Sequence, residues 1–379
     1  MPRILGLDVA RGLALVGMLA AHTVPEAPTG EYVWDGRSSI LFATVAGVSL
    51  GLISARPPGG PEHGPEPARS RAGRVVRVVA IRAVLLILLG VFLTFLETPI
   101  AIILDTYGFL FVVAIPLLFA PRWVLAVVAV AAALAGPWLV QQLAAVIGTA
   151  TTGATPDTTL VAIVTSPAAY FPEAWLTGVY PAPVWLAYIA VGILIARSDI
   201  TRRSTQLTLL VVGAAVALTA YTLATALGQP VEAHDDSGWE VLASGAVAVA
   251  VIGGCTALTG STAPVVRTWS RRLLQPLWAA GSMPLTVYTV QIIAIWAYTN
   301  TVDYDGWLAW QSVPLFFAFA VPTLVLCSLY RLRFTQGPLE WFVSRVSTQR
   351  PWRRGGERSG EAGASGPEAA PDAPRAGVR

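Results

Sequence analysis

The chain contains no lysine, two cysteines and three histidines. All 25 basic residues are arginine, set against 22 acids, and only 12% of the 379 positions are charged. An ordinary soluble domain carries about 25%, so a disordered chain or a typical soluble protein is excluded. Cys255 and Cys327 both fall inside apolar runs, which leaves neither a disulfide framework nor a zinc cluster. There is no Walker sequence, no HExxH, and no GxGxxG between a strand and a helix. The net charge of +3 does not mark a nucleic-acid binder, because the arginines sit in short loops between apolar runs rather than in one patch.

What the sequence has in quantity is apolar residues, 55% of the chain, enough for roughly ten membrane crossings at about 20 residues each. The pattern predicts an all-α polytopic helix bundle with spans at about 4–24, 38–55, 78–96, 100–120, 122–147, 183–197, 206–227, 239–260, 276–300 and 308–330. With the N-terminus in the cytoplasm, nearly every inter-span arginine falls inside and only Arg37 is left outside, so both termini are expected in the cytoplasm. The bundle is expected over residues 1–345, with a flexible cytoplasmic loop at 56–77 rich in Pro, Gly, Glu and Arg, and a disordered tail over 346–379. Asp8 and Arg11 inside the first apolar run argue against a cleaved signal peptide. The longest outside loop, about Gly148 to Ala182, carries Tyr170, Phe171, Trp175 and Tyr180, which suit an interfacial aromatic belt or a lid, the belt being preferred.

Charge inside a span is costly unless paired or wet, so Asp8, Arg11, His22 and Asp105 stand out. Asp8 and Arg11 are i and i+3 on one helix face, and His22 continues that stripe about 16 Å further along. Asp8 and Arg11 therefore read either as an ion pair locking the first helix or as substrate contacts. A neutral imidazole at His22 suits a general base for an attacking amine or hydroxyl, with Asp35 or Asp105 as its orienting carboxylate. Its plainer role is that of a packed or interfacial histidine. Asp35 and Arg37 flank the start of the second span, while Tyr288 and Gln291 form a polar face of the ninth, fit for interhelical hydrogen bonds or substrate. Gly47, Ser49, Gly51, Gly253 and Gly254 read as close-packing positions. His63 and His234 lie in polar loops and are expected to be solvated. No metal-ligand spacing is present. Arg77, Arg82, Arg202, Arg203, Arg271 and Arg272 crowd the cytoplasmic surface, where they suit anionic lipid or the phosphates of a cofactor.

The run Arg3-Ile4-Leu5-Gly6-Leu7-Asp8-Val9-Ala10-Arg11-Gly12, continuing to Gly17-Met18 and His22, then Trp34-Asp35-Gly36 and Leu41-Phe42-Ala43 to Ala46-Gly47, resembles the heparan-alpha-glucosaminide N-acetyltransferase-like family of transmembrane acetyltransferases. Gly281-Ser282-Met283-Pro284-Leu285-Thr286-Val287-Tyr288 with Gln291, and Gly337-Pro338-Leu339-Glu340-Trp341, resemble the YeiB-type bacterial membrane proteins. The first resemblance implies acetyl-CoA bound at the cytoplasmic face, with acetyl passed to an amine or hydroxyl acceptor at the far face, and places His22 at the active site. The first outside loop here has Glu26, Glu31 and Asp35 but no histidine, a departure from family members that use one there. The expected function is an acyltransferase of the bacterial inner membrane acting on a cell-envelope sugar or lipid-linked acceptor, alone or as a homodimer in contact with membrane lipids. The alternatives are a small-molecule or lipid transporter or flippase, in which the same polar stripe forms a substrate path, and a non-catalytic membrane partner protein.

Overall fold

A computed structural model describes residues 3–28, 30–55, 68–147, 160–302 and 310–348. Among them every regular element is helical: α1 (Leu5–Thr23), α2 (Arg37–Ala55), α3 (Ala68–Thr94), α4 (Leu104–Ala114), α5 (Arg122–Ile147), α6 (Leu160–Thr165), α7 (Pro167–Leu176), α8 (Ala182–Ala196), α9 (Arg203–Ala226), α10 (Gly238–Thr259), α11 (Pro264–Leu273), α12 (Gln275–Gly281), α13 (Pro284–Thr299), α14 (Val313–Arg333) and α15 (Pro338–Thr348). Seven of these are long and apolar enough to cross a membrane, and the bent pair α12 and α13 makes an eighth. Each of the ten expected spans coincides with a helix or a bent pair, but the fourth and sixth, α4 and α8, are shorter apolar helices. The all-helical membrane bundle is as expected; the count of spans long enough by themselves is lower than ten.

The layers follow from where apolar surface goes. On α3, Val84, Leu88 and Phe92 form an exposed i, i+4, i+8 stripe, and on α5 Leu134 is 75% exposed and Trp138 61%. In water such stripes would collapse together, whereas in hydrocarbon they are solvated. These helices, with α9 and α14, form the outer shell. Helices α1, α2, α8 and α10 form the inside, contributing Leu15, Leu19, Ile40, Trp185, Ile189 and Ile193 to the most deeply buried part of the core.

With no water to expel between helices, contact in lipid depends on close backbone approach. A Cβ on Gly281 of α12 would overlap the Asp8 carbonyl of α1, and one on Gly6 would overlap the α10 backbone at Thr256. Helix α1 is thereby clamped between α10 and α12. Gly47 against Ile189, and Gly253 against Leu210, do the same for α2 with α8 and for α10 with α9, as expected of these glycines.

Helices α12 and α13 meet at 89°. Pro284 opens α13 and cannot continue the hydrogen-bond ladder of α12, so the free N–H groups of the α13 start need another acceptor. Glu340 of α15 supplies it, accepting from Leu285 N (2.6 Å), Thr286 N (3.1 Å) and Thr286 Oγ1 (2.6 Å). The two C-terminal motifs noted in the sequence are thus two halves of one helix cap.

Of the flexible loop expected over 56–77, residues 68–77 are helical. Residues 56–67 lie outside the described ones, and α3 already begins at Ala68, where Arg71 Nη2 donates to the Ser54 carbonyl at the end of α2 (2.9 Å). Within the expected tail, residues 346–348 end α15 and the remainder lies outside the described residues.

A Gly281→Ala substitution is expected to lower the melting temperature in detergent by the equivalent of about 1–3 kcal/mol, the usual cost of overpacking. Gly73→Ala, where nothing lies within 4 Å of the added carbon, should cost nothing in the same assay.

Candidate functional site

Asp8 is buried and bound by two arginines. Arg11 Nη1 donates to its Oδ1 at 2.8 Å, and Arg3 Nε donates to Oδ2. Arg11 then reaches α2 through Ser49 Oγ (2.8 Å). The i, i+3 pair anticipated from the sequence is therefore formed, with Arg3 as a third member. Arg11, Ser49, Arg82 and Glu340 make the polar end of a chamber of about 230 Å³ whose walls are apolar and aromatic, including Phe42, Leu104, Tyr107, Phe111 and Tyr288.

At the other end of α1, His22 lines a cavity of about 730 Å³ with Glu26, Glu31, Tyr32, Asp35, Tyr180, His234 and Gln311. A small chamber of about 30 Å³ lies beneath it, sharing His22, Tyr180 and His234 and reaching Met18, Trp34, Ser39 and Tyr288. Tyr288 lines both this small chamber and the 230 Å³ one. Its hydroxyl accepts from the Ile103 N–H at 3.4 Å. The Trp34 indole N–H is buried without a partner. The backbone under His22 is fixed by Gln311 Nε2, which donates to the His22 carbonyl (2.9 Å).

His234 was expected to be solvated, yet it belongs to this cavity. The turn that carries it is held by carboxylates. Glu240 in the first turn of α10 accepts from His234 N and Asp236 N, both at 2.9 Å, and Glu31 accepts from Ala233 N at 2.6 Å. Ser237 caps α10 by accepting from Glu240 N at 3.0 Å, a capping-box arrangement in which the glutamate reaches past the cap residue into the turn. His234 and Asp236 sit at φ +61° and +52°, the left-handed region that non-glycine residues enter only where the surroundings hold them. Asp236 also accepts from the Trp185 indole at 3.1 Å. Burial pushes the His234 imidazole below its usual range, against the pull of Glu31 and Asp235. A Ser-x-x-Glu after His-Asp-Asp was the available sequence signal, since it marks a helix start that folds its own preceding turn inward.

The two carboxylates expected to orient His22 do not do so. Asp35 lines the outer cavity but accepts from Tyr32 N (2.8 Å) in its own turn, and burial raises its carboxyl above the ordinary range. Asp105 accepts from the Trp175 indole at 3.0 Å and packs against Gly90 of α3, because the first turn of α4 faces α3 and α7. Trp175 stacks on Phe109 (4.8 Å), and Tyr170 and Tyr180 are buried, Tyr180 in the cavity wall. Arg37 binds Tyr221 Oη (2.7 Å), Glu31 Oε2 (3.1 Å) and the Asp35 carbonyl (3.0 Å), tying the outer turn to α9. Gln291 is buried in α13 with its Nε2 unpartnered and outside the cavities described.

The six arginines offered for a cofactor do not form one site. Arg82 is in the 230 Å³ chamber. Arg271 lines a separate cavity of about 760 Å³ with Arg3 and Arg197. Arg203 donates to the Ala257 carbonyl (2.6 Å) and Arg202 pairs loosely with Asp199 (3.6 Å), while Arg77 and Arg272 are exposed elsewhere. Helical geometry scatters residues that are close in sequence around different faces. Among the described residues no group of three or more His, Cys, Asp or Glu side chains could hold a metal ion.

The fold defines a multi-pass membrane protein whose helices enclose a cavity at each end of α1. The acyltransferase-domain family matches residues 4–332, and the chain belongs to that family. No curated protein matches it.

Burial and the neighbouring Glu240 raise the Asp236 carboxyl to about 8. A carboxyl raised on folding contributes stability that is full below about pH 4 and is lost as pH rises through about 8. Melting curves in detergent should therefore fall between pH 5 and 9 in the native protein, and fall less in Asp236→Asn, which keeps the acceptor for Trp185.

Proposed function

We propose that this chain is a membrane acyltransferase that takes acetyl from acetyl-CoA at its arginine-rich end and passes it to an amine or hydroxyl at the opposite end. The observation that carries this reading is Tyr288, which lines both the chamber containing Arg11 and Arg82 and the chamber containing His22. A donor from one end and an acceptor from the other would meet there, across one side chain. The 230 Å³ chamber has guanidinium groups at its polar end and apolar walls beyond, which suits a phosphate followed by an uncharged thioester arm. The outer cavity supplies the base. As the acceptor's O–C or N–C bond forms and the thioester C–S bond breaks, His22 takes the acceptor proton and returns it to the departing thiolate. Among the described residues no carboxylate is hydrogen-bonded to the His22 ring, and its position rests on the rigidity of α1 and the Gln311 contact.

Three further particulars belong to the same proposal. The arginine bias of the loops orients the Arg11 end to the cytoplasm. The lysine-free, alanine- and arginine-rich composition suits a bacterial inner membrane. The N-terminal resemblance to the heparan-alpha-glucosaminide N-acetyltransferase-like family supports acetyl as the group moved, and an envelope sugar or lipid-linked molecule then suits the acceptor.

The test is turnover of radiolabelled acetyl-CoA by the full chain in liposomes, with envelope-lipid extract as acceptor. Native protein should transfer label, His22→Ala should lose about 100-fold or more in rate, and His63→Ala should match native. Tyr288→Phe, which keeps the ring and removes the hydroxyl that receives Ile103 N–H, should retain most activity. Tyr288→Trp should block transfer by filling the shared wall. Absence of acetyl-CoA turnover in the native protein would set acyl transfer aside in favour of transport, and flux of label across the liposome would then be measured.

A further inference from the structure

The outer cavity contains two imidazoles, and the acyl-transfer chemistry above uses one. His234 reaches it from the turn before α10 and lines the same two chambers as His22. Its Nδ1 is buried and unpartnered, which leaves Nε2 as the ring nitrogen that meets the cavity. Among the described residues neither ring is hydrogen-bonded to a carboxylate; the hydrogen bonds of His22 and His234 there are through their backbones. Tyr180 packs edge-on against the His234 ring at 5.5 Å, fixing its plane.

Holding a histidine at φ +61° is unfavourable, and three carboxylate hydrogen bonds from Glu240 and Glu31 sustain it. Glycine or asparagine would occupy that turn with less strain. The turn does not need an imidazole for its hydrogen bonds, which are made by the backbone of residues 233–236 and the side chains of Asp235 and Asp236. What the imidazole adds faces the cavity.

We infer that His234 is a second substrate-contacting residue, which with His22 holds the acceptor's attacking group between two imidazoles. A neutral imidazole has one N–H donor and one acceptor nitrogen. An attacking hydroxyl gives its proton to His22 while one of its lone pairs receives the N–H of His234, which leaves the other lone pair for the acyl carbon. The proton balance is unchanged: C–O forms, C–S breaks, and the proton passes through His22 to the thiolate. This inference rests on the acyl-transfer reading of the same cavity.

The experiment uses the full chain in liposomes with acetyl-CoA as donor and glycerol as hydroxyl probe, in native protein, His22→Ala, His234→Gly and His234→Asn. His234→Gly removes the ring but accepts the backbone angle, so its melting temperature should equal or exceed native. Its kcat/KM for glycerol should fall about 100-fold, the usual cost of one positioned donor, with the KM for acetyl-CoA unchanged. His234→Asn, which restores an N–H and tolerates the left-handed turn, should recover at least a tenth of the native value. Native transfer by His234→Gly alongside a dead His22→Ala would overturn the two-imidazole site and leave acyl transfer standing. No transfer or hydrolysis by the native protein would overturn both.

Discussion

The Asp8 carboxylate, buried between Arg3 and Arg11 on a helix packed against α2, α10 and α12, is the constraint from which the two ends of the site take their positions. A buried charge left without a partner is far more costly than one with two; both partners travel with α1, and their outward bonds, Arg11 to Ser49 of α2 and Arg3 to the Ser282 carbonyl, set its depth and rotation in the bundle. The glycine contacts with α10 and α12 leave it no room to slide. Because a helix is stiff over its length, fixing Asp8 also fixes Arg11 in the 230 Å³ chamber and His22 in the outer cavity. Other helices supply walls; α1 supplies a residue to each end of the path.

The outer end depends on a second set of charges. Glu31 and Glu240 are spent on backbone N–H groups of the turn at 233–236, and Arg37 joins Glu31 to Tyr221 of α9. The histidine these glutamates support, held in a backbone angle it does not favour, is the group exposed to the cavity. At the opposite end Glu340 plays the corresponding part, capping the broken start of α13 so that Tyr288 is presented from a fixed helix.

Much of the bundle was legible because membrane insertion imposes local rules. An apolar run of sufficient length must be a helix, and an i, i+3 acid and arginine must meet whatever lies around them, so Asp8 and Arg11 paired as read. The site was legible only where it lay on one helix. His22 was found from its place on the α1 stripe, but its neighbour was chosen by depth alone, and depth does not say which way a side chain faces. Asp105 shares that depth and turns toward Trp175; Asp35 shares it and closes its own turn. His234 was passed over because a polar loop gives no sign, residue by residue, that it folds inward.

Composition and the arrangement of apolar runs determined by themselves that this is an all-helical membrane protein, since no other backbone arrangement of such a chain satisfies its hydrogen bonds in lipid. They also determined the Asp8 and Arg11 pair, which one turn of helix brings together. Only the tertiary structure decided that two cavities share Tyr288, that the C-terminal motifs join as a cap, and that His234 lines the same cavity as His22. Those facts concern which faces of distant helices meet, and that depends on where small residues let backbones approach rather than on any local pattern.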